Sequence, residues 1–213
     1  MEPNDRAQQP PPAPQSLFLS PVVVAGIPFH LVSAPNAPPS ASLISGRLLR
    51  YRVLVEPGLV LEAAAFAPHV EKTLADPNGW AAAGLRFARV ERHADFTVLL
   101  AKPKTVNRLC KPLKTGGVYS CGLRGRAVLN AVRWRRGVRH FRGDLVTYRQ
   151  YLVNHEVGHL LGQPHRRCPV RGGPAPLMMQ QTKHLDRCKP NGLPLDGEVE
   201  SLRVQTPAWA ERD

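Results

Sequence analysis

The chain has 213 residues, of which 43% are hydrophobic and 21% are charged. This length and apolar content suffice for one domain with a buried core, and they exclude a wholly disordered chain. The 29 basic and 16 acidic residues give a formal net charge of +13, which favours anionic partners and carries no information on the fold.

The N-terminal segment is rich in proline and poor in charge, with ten prolines in residues 1–40. We predict that residues 1–45 form a disordered arm or linker and that the domain spans 46–192, with a tail over 193–213. Residues 17–34 are apolar, but prolines and His30 interrupt them. They fit neither a membrane span nor an ordinary signal peptide.

The first half of the domain alternates strand and helix patterns. Residues 47–57 are rich in Val, Leu and Tyr, which predicts a strand, and residues 61–80 have the apolar spacing of a helix that ends at the turn residues 76–79. Residues 85–92 and 95–101 are predicted as two strands joined by a tight turn.

The second half contains two further short strands, predicted over 117–121 and 126–134. The longest helix is predicted over 144–161, with Asp144 as its N-cap, and a short helix is predicted over 181–188. Together these elements indicate a single α+β domain.

Residues 154–165 read "NHEVGHLLGQPH". On a helix His155 and His159 lie on the same face, so both can bind one metal ion. Gly162 can adopt a positive φ and turn the chain back, which brings His165 in as a third ligand. Three nitrogen ligands leave the fourth position of zinc open for water, as in catalytic sites. Glu156 is rotated away from the ligands but can still reach that water.

Chance does not explain this motif well. In a chain of this composition, H-E-x-x-H followed by G-x-x-H arises in roughly a few sequences in a hundred thousand. The helix is also apolar on more than one side, which indicates a buried position where imidazole groups need a partner. The spacing therefore predicts one catalytic Zn²⁺ held by His155, His159 and His165.

The residues "HEVGHLLGQPH" resemble the metzincin zinc peptidases, whose motif H-E-x-x-H-x-x-G-x-x-H is followed by a methionine turn. "PLMMQQT" at 176–182 supplies that methionine as Met178 or Met179. Met178 is preferred, because Leu-Met recurs in such turns, although a core methionine without a special role would pack in the same way. The resemblance implies a twisted mixed sheet packed on a central zinc-binding helix, with the methionine turn in the C-terminal part.

The chain more closely resembles a bacterial metzincin-like family of unknown function, in which "GHLLG", a following Cys-Pro and "MMQQT" recur in similar order. This resemblance covers residues 46–192. Arg166 stands where metzincin subgroups carry a diagnostic residue, so no subgroup is assigned. Gln180 and Gln181 stand where some subgroups carry an extra tyrosine ligand, so the resemblance implies only three protein ligands.

The even number of cysteines fits two disulfides, and four cysteines permit three pairings. We predict that neighbours pair, Cys110 with Cys121 and Cys168 with Cys188, because this closes short loops. The alternative is four reduced thiols in a cytosolic protein. Disulfides imply an oxidising compartment, so an extracytoplasmic protein, secreted or anchored, is expected.

The zinc-binding motif, together with the metzincin resemblance, predicts a zinc metallopeptidase that acts on a peptide or protein substrate. Glu156 would act as general base toward the metal-activated water. The metzincin resemblance implies that an extended substrate pairs with an edge strand, for which residues 126–134 are the candidate. The alternative function is a non-catalytic, zinc-stabilised basic module that binds nucleic acid or anionic envelope polymers.

An arginine cluster surrounds that candidate strand. The cluster is either a solvated surface, or it makes the protein favour anionic partners. Such partners would be acidic peptides or an anionic cell-envelope polymer. Trp134 and Phe141 lie nearby and could stack bases, but no nucleic-acid motif is present, so no specific nucleic acid is expected. The cluster consists of Arg124, Arg126, Arg133, Arg135, Arg136, Arg139 and Arg142.

Overall fold

Seven strands form one mixed sheet in the computed structural model, which describes residues 18–34 and 46–204. The strands are β1 Phe18–Val24, β2 Ile27–Val32, β3 Arg47–Val55, β4 Leu85–Arg89, β5 Phe96–Ala101, β6 Cys121–Leu123 and β7 Arg126–Asn130. Five α-helices occur in the same ranges: α1 Val60–Ala75, α2 Pro103–Leu109, α3 Ala131–Arg136, α4 Leu145–Leu160 and α5 Asp196–Val204. The predicted α+β class is confirmed.

The strand order is β1-β2-β3-β5-β7-β6, and β4 also pairs with β3. Strands β3, β5 and β7 are parallel to one another, whereas β6 runs antiparallel to β7 at the edge. Strands β4 and β5 form where residues 85–92 and 95–101 predicted strands, yet each pairs in parallel with β3. The strand pattern identifies such segments but not their partners.

Two hydrophobic clusters sandwich the sheet. On one face, Tyr51 and Val53 pack with residues of helices α1 and α4. On the other face, Leu54 and Leu99 pack with Val106 of α2 and with the β1–β2 hairpin. Because side chains alternate along a strand, a central strand such as β3 is apolar on both faces. Helix α4 is thereby fixed against the sheet.

The prediction that the domain starts near Gly46 is wrong, because residues 18–34 already belong to the folded sheet. Strands β1 and β2 form an antiparallel hairpin, and β2 pairs with β3 through His30 and Leu31. The hairpin is held because Phe29 and Leu31 are buried in the second cluster. The high proline content hid this strand pattern. Residues 1–17 and 35–45, also assigned to the arm, lie outside the described residues.

Two expectations for the C-terminal part are also wrong. The tail predicted over 193–213 contains helix α5, where Leu202 is buried in the main core. The short helix predicted over 181–188 is absent from these described residues, which form turns. Residues 205–213 lie outside the described residues.

Both predicted disulfides are confirmed. Cys110 pairs with Cys121, and Cys168 pairs with Cys188. Disulfides persist in oxidising surroundings, so the chain belongs in such an environment. Within residues 18–34 and 46–204, no helix combines the length and apolar character needed to cross a bilayer.

Candidate metal centre

Helix α4 carries the first part of the motif on a buried core element. The Asp144 carboxylate accepts a hydrogen bond from the Thr147 N–H at 3.0 Å and so caps the helix as predicted. At the other end, Gly162 has φ +84° and its N–H donates to the His159 carbonyl. A left-handed residue at this place turns the chain back over the helix, which brings His165 beside α4.

The three histidines of the motif converge. Their ligand atoms lie within 4.8 Å of one another, and His159 Nε2 is 3.1 Å from His165 Nε2. With zinc–nitrogen bonds of about 2.0–2.1 Å, two nitrogens at this separation subtend about 100° at the metal, close to a tetrahedral angle. The group His155, His159 and His165 can therefore hold one metal ion.

Backbone carbonyls set the orientation of two of these rings. His155 Nδ1 lies 2.8 Å from the Leu177 carbonyl oxygen, and His159 Nδ1 lies 3.0 Å from that of Gln163. A carbonyl oxygen can only accept, so each Nδ1 carries the proton and donates it. Each Nε2 is then left with a lone pair for a metal ion, as in known histidine sites.

The electrostatics keep these imidazoles neutral. Burial, followed by the charge of His159, lowers the pKa of His155 to about 3. Burial and the charge of His165 lower the pKa of His159 to about 4. The pKa of His165 is also lowered, first by burial and then by Lys183. Neutral imidazole is the form that binds a metal, so the ligands are ready to bind at neutral pH.

Glu156 lies beside the histidine group and is only 5% exposed. Burial raises the pKa of its carboxyl group to about 8, while a hydrogen bond from the Gly122 backbone lowers it. A positive ion at the histidines would lower this pKa further. The side chain lies in the same cleft as the three histidines. It is therefore placed to exchange a proton with a molecule bound there.

The edge strand packs closely on helix α4 through Gly122. A methyl group at this position would overlap the Glu156 backbone oxygen and crowd the His159 side chain. Glycine lets strand β6 approach the helix closely enough for its backbone to reach Glu156. The sequence interpretation missed this residue, since one glycine in a short strand gives no local signal.

The segment after His165 returns beneath the helix. The Arg166 N–H donates to the Met178 carbonyl at 3.0 Å, and Leu177 supplies the carbonyl that orients His155. Met178 is fully buried in the core cluster that contains α4, and its sulfur lies beside Gly158. Met179 belongs to a separate small cluster. Met178 is therefore the methionine that packs under the motif.

A buried carboxylate supports residues 176–182, which we call the methionine segment. Glu198 is 1% exposed and accepts hydrogen bonds from the Leu177 and Met178 N–H groups, both at 2.8 Å. It also accepts one from the Leu195 N–H at 2.9 Å. Sequence interpretation missed Glu198 because it placed this region in a tail. The apolar spacing of Leu195, Val199 and Leu202 was the available helix signal.

A cleft of about 470 Å³ opens onto the histidines. Its edge is strand β6, which pairs with β7 on one side. The prediction that residues 126–134 form the edge strand is wrong, since β7 lies between β5 and β6 and the chain continues into α3. The cleft is lined by Leu113, Lys114, Thr115, Tyr119, Ser120, Cys121, Gly122, Leu123, Tyr151, His155, Glu156, His159, His165, Gln180, Thr182 and Lys183.

The arginine cluster lies elsewhere, since none of its seven members lines this cleft. Arg135 forms an ion pair with Glu62, and Arg133 Nε donates to the Val118 carbonyl. The expectation that Trp134 and Phe141 could stack bases is wrong, because they are 2% and 3% exposed. Both rings are core residues.

The second disulfide should stabilise the segment that carries His165. Cys168 and Cys188 are 20 residues apart, and closing such a loop should stabilise the fold by about 3 kcal/mol. A Cys168→Ser, Cys188→Ser protein should therefore lose this free energy of unfolding in a denaturant titration and should retain metal more weakly. An unchanged unfolding free energy would contradict this role.

Comparison with known proteins gives a family without an assigned activity. A family profile described as "Protein of unknown function (DUF3152)" matches residues 28–209, which includes the three histidines, Glu156, both disulfides and Glu198. Searches of curated proteins and of solved structures return no match. Because the profile spans most of its length, the chain belongs to this family of proteins of unknown function, DUF3152.

Proposed function

We propose that this protein is a zinc-dependent, metzincin-like endopeptidase with one catalytic Zn²⁺. The observation that carries the proposal is the convergence of three neutral imidazoles in an open cleft with a buried carboxylate beside them. Two Nδ1 atoms are held by carbonyls, which fits a three-nitrogen zinc site with an accessible fourth position.

Zinc bound by His155, His159 and His165 would lower the pKa of water and polarise a carbonyl group. The chain's own residues supply the remaining steps. Glu156 accepts a proton at its carboxylate as water attacks the peptide carbonyl, and it then gives the proton to the leaving amine. The Gly122 backbone and the buried surroundings hold that carboxylate in place.

The position of Glu156 also favours an enzyme over a zinc-stabilised binding module. A buried carboxylate without an ion pair is costly, and a metal site that serves only structure does not need one. Structural zinc sites are commonly closed by four protein ligands, whereas three histidines here face an open cleft. A protein that retains zinc and cleaves no peptide would favour the binding module.

We infer that an extended peptide binds along strand β6. Cys121–Leu123 pairs with β7 on one side, and no described strand pairs with its other side. Backbone groups of such an edge can pair with a peptide strand. Because Gly122 brings this edge against α4, a peptide paired there would pass the Glu156 carboxylate. The disulfides favour an extracytoplasmic location for this activity.

The purified full chain should contain about one zinc per molecule, since one three-histidine group offers one site. Replacement of His165 by Ala removes one of three ligands and should lower zinc occupancy sharply after dialysis. Elemental analysis measures this directly, with His93→Ala as a control outside the cleft. Full occupancy in the His165→Ala protein would refute the three-histidine site.

Cleavage of a broad peptide library, followed by mass spectrometry, tests the activity itself. The protein should cleave peptides internally when loaded with zinc, should lose activity after a chelator is added, and should regain it when zinc is restored. Equal cleavage by the metal-depleted protein would contradict a zinc peptidase.

A further inference from the structure

The charge of the histidine cleft is unbalanced. Its lining contains Lys114 and Lys183, and Glu156 is its one acidic residue among the described residues. Both lysines are exposed, and neither forms an ion pair with an acidic side chain in residues 18–34 or 46–204. The cleft therefore offers two ammonium groups that have no counter-ion among the residues that the structure describes.

Contacts hold Lys183 across one end of the cleft. Its Nζ donates to Gln180 Oε1 at 3.1 Å and lies 5.1 Å from the centre of the Tyr119 ring. Gln180 follows the methionine segment, whereas Tyr119 belongs to the loop before strand β6. The ammonium group is thus restrained by both walls, which lowers the entropy lost when it pairs with a ligand.

Lys114 lies in a loop whose conformation is restrained by a disulfide and by backbone hydrogen bonds. The Cys110–Cys121 disulfide closes the loop, and the Leu113 N–H donates to the Cys110 carbonyl at 2.9 Å. The neighbouring Thr115 is buried, and its hydroxyl group contacts Asn107 Oδ1 at 3.3 Å. Lys114 therefore projects from a structured wall of the cleft.

We propose that Lys183, assisted by Lys114, is a specificity-determining residue that selects peptides with a carboxylate near the cleaved bond. This inference rests on the proposed peptidase function. An ammonium group attracts a carboxylate, and it repels the basic side chains that would otherwise enter the cleft. The carboxylate can belong to an Asp or Glu side chain or to the C-terminus of the peptide.

Matched peptides test the preference and identify its source. A peptide cleaved by the zinc-loaded full chain is remade with Glu or Gln at each position near the cleaved bond, with a free or an amidated C-terminus. The Glu peptide should be cleaved with kcat/KM roughly five-fold above its Gln counterpart. If cleavage instead depends on a free rather than an amidated C-terminus, and not on Glu, the terminal carboxylate is the group that the lysines recognise.

Charge reversal assigns the preference to the lysines. The Lys183→Glu protein should lose or invert the preference of Glu over Gln, and adding Lys114→Glu should increase this effect. Lys104→Glu is the matched control, because Lys104 is exposed on α2 and does not line the cleft. It should keep the wild-type preference. A wild-type preference in the double Lys114→Glu, Lys183→Glu protein would overturn the proposal.

Binding separates this inference from the proposed activity. Fluorescence anisotropy with labelled Glu and Gln peptides is measured on the zinc-loaded Glu156→Gln protein, with and without Lys183→Glu. If no peptide is cleaved but the Lys183-dependent binding preference is present, the peptidase function fails and the lysine inference stands. If peptides are cleaved but wild type shows no carboxylate preference in cleavage or binding, the lysine inference fails and the peptidase function stands.

Discussion

Replacement of Glu156 by Gln should lower kcat/KM for peptide cleavage by about 10² to 10⁴-fold while zinc remains bound, since general-base assistance contributes about this much. The amide has nearly the same shape and can occupy the same buried position, but it cannot accept a proton from water. Glu156 is not part of the histidine group that can hold the metal. Activity and zinc content measured on the same preparation test both statements.

A second Glu→Gln change serves as the control. Glu71 lies on helix α1, forms an ion pair with Arg89 and does not line the histidine cleft. The Glu71→Gln protein should retain activity close to that of wild type. Equal cleavage by wild type and the Glu156→Gln protein would show that Glu156 is not the base or that the activity comes from a contaminant.

Replacement of Glu198 by Ala should destabilise the protein by about 3 kcal/mol or more, because it leaves three backbone N–H groups, two of them buried, without their acceptor. It should also weaken zinc binding about 10- to 100-fold, as expected for a residue that supports a metal ligand indirectly. Glu198 can affect the metal ligand through a single residue, because it binds the Leu177 N–H and the Leu177 carbonyl orients His155. Denaturant unfolding and competition with a zinc chelator measure the two effects.

A neighbour on the same helix provides the comparison for this result. Glu200 is exposed and pairs with Arg203 three residues later. Because surface ion pairs contribute little, Glu200→Ala should change stability by less than about 1 kcal/mol. If Glu198→Ala has an equally small effect on stability and zinc affinity, helix α5 does not support the methionine segment.

The local part of the candidate site could be predicted from the sequence. His155 and His159 are four residues apart on one helix, and Gly162 supplies the turn to His165, so spacing alone brings these residues together. The disulfides could be predicted for the same reason, since neighbouring cysteines close short loops. Helix α4 and its Asp144 cap follow from local patterns as well.

The parts that the sequence did not predict depend on contacts between distant segments. Strand β6 became the edge because it folds back on β7, and no pattern within residues 126–134 reveals this pairing. The roles of three residues depend on contacts that are distant in sequence. Gly122 contacts helix α4, Lys183 contacts the Tyr119 ring and Glu198 binds the turn at Met178. The β1–β2 hairpin was missed because its proline content indicated a linker.

The contact between Glu198 and the methionine segment has a consequence for the order of synthesis. A chain emerging from the ribosome or a translocation pore releases residues 155–165 well before residue 198. Until helix α5 emerges, the Leu177 and Met178 N–H groups lack their acceptor, and the carbonyl that orients His155 is not yet fixed. We therefore expect the candidate metal centre to mature late, after nearly the whole described chain has reached the compartment in which it folds.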